Sequence, residues 1–162
     1  MQTNQQEMFI QCAISTWEQQ IKRITAIFDR LSEEELFAEI APGKNRTVYL
    51  LGHLSAVHDM MLPLLGLGER QYPFLDAAFI TNADKAVADL PKVEELRGYW
   101  KSVNELLLQK FRALKPGEWL QKHTAVSDED FVKEPHRNRF NVLLGRTAHA
   151  SYHLGQLALL KK

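Results

Sequence analysis

The chain has 162 residues, 45% hydrophobic and 25% charged, which suits one globular domain, 1–162, around one buried core. Twenty basic side chains balance twenty acidic ones, so the electrostatic footprint of a nucleic-acid binder is missing. A single cysteine, Cys12, excludes an internal disulfide and thiolate-rich metal sites.

A lone thiol fits a reducing compartment, so a cytoplasmic protein is expected. The polar start, Met1 to Glu7, lacks a basic-then-apolar signal, and no apolar run approaches the roughly 18 residues of a membrane span.

In chain order, Phe9, Ala13, Trp17, Ile21, Ile24, Phe28 and Leu31 recur at steps of three or four and predict an amphipathic helix over about 4–31. Ser32 and Glu35 have capping-box spacing, which starts a short helix over about 33–40. Pro42-Gly43 stops it. A third helix follows over about 46–65, with Asn45 as its expected N-cap and a stripe of Tyr49, Leu50, His53, Leu54, Val57, Met60 and Met61. Pro63 should distort its last turn.

Residues 66–73 read as a loop, and 74–89 as irregular with short helical turns around 84–88. Pro91 suits a first helical position, and Val93, Leu96, Trp100, Val103, Leu107, Phe111 and Leu114 give the strongest helical period, over about 92–114. Pro116-Gly117 ends that helix. The polar stretch 118–138 has no clear period and reads as a long connection. A last helix should run from Arg139 nearly to Lys162. These elements predict an all-α protein: a four-helix bundle suited to antiparallel packing, with one short extra helix and a long loop before the last helix; two of the connections are long, so the topology need not be simple up-down-up-down.

Six histidines are distributed over this frame: His53, His58, His123, His136, His149 and His153. A single histidine on an apolar stripe is usually a satisfied core residue. His149 and His153, however, stand four apart, which stacks both imidazoles on one helix face. His53 lies in the buried stripe of another helix, and facing bundle helices bring inward side chains to one centre. His58 lies about 140° around the helix from His53 and should point elsewhere. His123 and His136 belong to the long loop and read as solvated surface residues.

The segment Leu51-Gly52-His53-Leu54, with His149-Ala150-Ser151-Tyr152-His153-Leu154-Gly155-Gln156 late in the chain, resembles the DinB/YfiT-like superfamily of metal-binding helical bundles. Leu31 to Leu36 extends the resemblance over nearly the whole chain. It implies a four-helix bundle holding a divalent metal, usually zinc or nickel, on His53, His149 and His153, and it implies a homodimer. Relatives of this kind include transferases and isomerases that use low-molecular-weight thiols, and proteins read as metal-dependent hydrolases.

Three imidazoles with an open position form the arrangement of a catalytic site rather than a structural one, and they favour a small-molecule substrate. Gln156 sits one turn from His153, either to hold it by a hydrogen bond or to make a polar contact between helices. Tyr49 and Tyr152 are candidates to supply a proton or orient a substrate, against the plainer role of bundle packing. No Asp or Glu lies on the His149/His153 face, and Asp59 should point off-axis, which favours thiol transfer over hydrolysis. Glu18 of the first helix is the remaining candidate base, and Cys12 reads as a small buried residue. Three readings stay open: a metal-dependent enzyme, a metal-binding or stress-response module without turnover, and a plain structural bundle.

Overall fold

The computed structural model describes residues 2–160, so the last two lysines of the expected final helix lie outside the described residues. Helix α1 spans Gln2–Arg30, α2 Glu33–Phe37, α3 Thr47–Asp59, α4 Met61–Leu64, α5 Val93–Ala113, α6 Pro116–Trp119, α7 Asp128–Lys133 and α8 Arg139–Leu157. Two isolated bridges, Glu39 with Arg46 and Lys122 with Asn138, are the extended pairings among the described residues. The architecture is an all-α helical bundle.

The helix limits follow local chemistry. Both bonds of the Ser32–Glu35 capping box form, and such caps contribute about 1 kcal/mol. Pro63 cannot donate to the carbonyl one turn back and clashes with it. The helix accordingly breaks after Asp59 and resumes as α4. Arg46, rather than Asn45, occupies the N-cap of α3, with no side-chain cap. Its backbone N–H and guanidinium are both taken by Asp84. Pro91 precedes the N-cap Lys92 instead of opening α5, whereas Pro116 opens α6.

Two hydrophobic layers divide the core. One holds Ile24, Phe28, Leu51, Leu54, Leu96, Trp100, Ala150 and Leu154. The other holds Ile10, Ile14, Trp17, Met61, Val103, Leu107, Phe111 and Leu143. The order in which each helix visits these layers gives its direction. α1 and α8 run one way, α3 and α5 the other.

α1 packs on α8 and α5, and α3 packs on α5 and α8. The expected antiparallel packing therefore holds for α1 with α5 and α3 with α8, while α1 with α8 and α3 with α5 are parallel. A parallel neighbour needs a connection that returns along the bundle, and residues 65–92 supply it. Asp59, fully buried, anchors that crossover by accepting from the N–H groups of Gln71 and Tyr72 and pairing with Arg70.

The crossover carries a 3-10 turn at Pro73–Leu75 and a π turn at Ala77–Thr81. Its helical turns thus come earlier than 84–88, where Asp84 and Lys85 form a plain turn with Lys85 at φ 72°. The stretch 118–138 is more ordered than a bare loop. Trp119 is fully buried in the layer of Phe111, and Thr124 bonds the carbonyl of Leu64.

Two side chains depart from the expected faces. Phe9 is 62% exposed while its neighbour Ile10 is buried. Both fit a period near 3.6, and the packing of α1 on α8 selects Ile10. Cys12 is exposed rather than buried.

Candidate metal centre

His53 projects from the middle of α3, and His149 and His153 from successive turns of α8. Their ligand atoms all lie within 4.8 Å of one another. His149 Nε2 is 3.4 Å from His53 Nε2 and 3.1 Å from His153 Nε2. Tetrahedral zinc–imidazole bonds of about 2.0–2.1 Å place neighbouring nitrogens about 3.3 Å apart, so the spacing fits one metal ion.

Two of the rings are aimed by hydrogen bonds at their far nitrogens. His53 Nδ1 lies 2.9 Å from the Phe79 carbonyl, which can only accept. The proton therefore sits on Nδ1 and leaves a lone pair on Nε2. His153 Nδ1 donates to Gln156 Oε1 at 2.7 Å, while the Gln156 amide N–H reaches the Tyr152 oxygen at 3.3 Å. A lone pair on His153 Nε2 requires the ring proton on Nδ1, and so the amide oxygen turned toward the ring. His149 Nδ1 is buried with no partner, so its neutral ring can carry the proton there and turn a third lone pair inward.

Electrostatics favour the neutral, ligating form. Burial, then the nearby charges of His153, His53 and Arg146, push His149 down to about 4. Burial and the His53 charge likewise lower His153, against the raising effect of its Gln156 bond. At neutral pH these rings offer lone pairs, the form a metal needs.

Tyr49 stacks on the His53 ring at 6.2 Å between centroids and 9° between planes. Its hydroxyl donates to the Asn82 carbonyl at 2.9 Å, and burial raises its pKa. Tyr152 is 64% exposed, with its ring edge on His153 at the rim. Gln156 makes the bond to His153 rather than a contact between helices. Glu18 pairs with Lys22 and Arg112, and Asp59 holds the crossover.

His58 is fully buried between Trp17 and Trp100, with Nδ1 donating to Asn104 Oδ1 at 2.8 Å. His136 is exposed. His123 is half-buried rather than solvated, with Nδ1 enclosed and unpaired, because the 118–138 segment folds against the far layer of the core.

Two parts of the centre were missed in the sequence. The Phe79 carbonyl that aims His53 comes from the π turn, and a backbone acceptor has no side-chain signature. Gly52 is the other. A Cβ there would stand 2.4 Å from the Phe79 ring, so glycine alone allows this approach. An isolated glycine inside a helical stripe was the available signal.

The fold and the three histidines define a helical bundle with three side chains positioned to bind a metal ion. The DinB superfamily model matches residues 16–157, and the chain belongs to that superfamily. None of the curated proteins compared with the chain matches it.

Proposed function

We propose that the protein is a metal-dependent enzyme of the low-molecular-weight-thiol transferase or hydrolase kind, acting on a small molecule. The observation that carries this reading is the convergence of the His53, His149 and His153 Nε2 atoms, two of them pre-aimed by hydrogen bonds at Nδ1. Zinc or nickel would be held by these three rings. A divalent ion there can lower the pKa of water, polarise a carbonyl or take a thiol as its thiolate.

The remaining residues work by position. Phe79 and Gln156 fix ring orientation, Tyr49 covers one face of His53, and exposed Tyr152 stands where a substrate would enter. Among the described residues no carboxylate joins the histidine group. That favours thiol transfer over a hydrolysis that needs a carboxylate base. A panel pairing low-molecular-weight thiols with haloalkyl acceptors, beside ester and amide substrates, tests the reading on zinc- and nickel-loaded protein. Turnover of a thiol pair that His149→Ala abolishes supports it; silence across the panel favours a metal-binding module without turnover.

The expected homodimer is part of the same proposal. Exposed Phe9, Leu120 and Leu144 line one apolar groove, and contiguous apolar surface of this kind marks association sites. Light scattering should give twice the chain mass, falling to one in Phe9→Glu; a monomeric wild type overturns it. Among the described residues, no helix is long and apolar enough to cross a membrane. We place the protein in the cytoplasm on its lone exposed thiol, and expect no nucleic-acid partner from its balanced charge.

A further inference from the structure

Arg146 precedes His149 by three residues and His153 by seven on α8, which places it on the histidine face, one and two turns away. It is partly buried. Among the described residues it has no hydrogen bond or ion pair, although most arginines of this chain are engaged: Arg46 by Asp84, Arg70 by Asp59 and Asp76, Arg112 by Glu18. Helix α8 itself contains no Asp or Glu. Burial alone pulls the Arg146 pKa down, with no carboxylate opposing it. Its charge is felt at the rings of both His149 and His58, in keeping with its place on the histidine face. Its nitrogens are not among the buried unpartnered atoms, so they remain open to solvent.

A partly buried guanidinium with no counter-ion, its nitrogens open to solvent, is free to take an anion. The geometry points to a specificity role: we propose that Arg146 anchors a carboxylate on a small substrate whose reactive group sits at His53, His149 and His153. This rests on the metal-centre reading above. One guanidinium offers a planar, bidentate fork that matches a carboxylate. A single fork matches a carboxylate better than a phosphate dianion, which calls for further donors. The three-residue offset from His149, about 4.5 Å along the helix, suits a compact molecule with its carboxylate a few bonds from the reacting group.

The test uses cobalt(II)-loaded protein titrated with 3-mercaptopropionate and with 2-mercaptoethanol, followed by the visible cobalt absorption. Wild type should prefer the carboxylate thiol, and Arg146→Gln should reduce that preference about tenfold or more while cobalt stoichiometry and 2-mercaptoethanol binding stay the same. Arg146→Lys keeps the charge without the fork and should fall between. It also serves as the test if the Gln variant does not fold. An unchanged preference in either variant overturns the proposal.

Failure of the metal centre would appear separately, as wild-type protein that gives no cobalt spectrum. Phenylglyoxal labelling then decides the anchor alone. Protection of Arg146 by 3-mercaptopropionate, read by mass spectrometry, supports it, and equal labelling with and without that compound overturns it.

Discussion

Gln156 holds His153 by a single 2.7 Å bond, and the Phe79 carbonyl holds His53 by one of 2.9 Å. Outer partners of this kind fix ring orientation, and their loss typically weakens metal binding about 10–100-fold. Gln156→Ala should therefore lower zinc affinity by that factor, measured by competition with a chromophoric chelator, while the unfolding midpoint of the metal-free protein barely moves. Equal zinc affinity in the two proteins would remove Gln156 from the centre. The convergence of the three histidines was legible because helical spacing and stripe position are properties of side chains. The role of Phe79 was not, because it acts through its backbone. Arg146 was readable by the same spacing rule as His149, yet its lack of a partner shows only once every neighbouring acid is placed.

At the scale of elements, the α3–π-turn contact depends on Gly52. Gly52→Ala must push a methyl into the Phe79 ring, and overpacking of this kind costs about 1–3 kcal/mol. It should also weaken metal binding, because the displaced turn carries the carbonyl that aims His53. Gly155 is a contrast on α8. Nothing lies within 4 Å of a Cβ there, so Gly155→Ala should be stabilising by about 0.5–1 kcal/mol through the backbone. Urea unfolding of the two variants checks both signs, and a Gly52→Ala protein as stable as wild type would contradict the packing argument.

The long helices were legible from period alone, since seven apolar positions from Val93 to Leu114 leave one consistent face. Phe9 against Ile10 was not, because adjacent apolar residues satisfy the same period and only the neighbouring helix chooses. The crossover turns were misplaced toward 84–88 for a related reason. Asp84 and Lys85 have local turn chemistry, and Asp84 is recruited by Arg46, 38 residues away in sequence.

For the whole molecule, the two core layers meet at a polar seam where His58 lies neutral. Burial, against the raising effect of the Asn104 bond, pushes His58 down to about 3. Below its ordinary value near 6.5, the unfolded chain takes up a proton that the folded chain refuses. Stability is thus unaffected above pH 6.5 and falls as pH drops from 6.5 toward 3. From this residue the loss between pH 7 and pH 5 should be about 2 kcal/mol. His149 and His153, also lowered, add in the same direction in metal-free protein. Chelator-treated protein unfolded in urea at the two pH values measures it; equal stability at both would mean that His58 is not held neutral. The bundle class was legible in the sequence, but the directions of its helices were not. Direction depends on how far the 65–92 segment travels, and loop composition does not encode that.

The central claim is that His53, His149 and His153 form one metal site. Its most direct test is the zinc and nickel content of protein made without a histidine tag, for wild type and for His53→Ala, His149→Ala and His153→Ala. The account predicts close to one metal ion per chain in the wild type after incubation with either metal and dialysis, and its loss in each of the three variants. Wild-type protein that retains neither metal, or variants that retain as much as wild type, would contradict it.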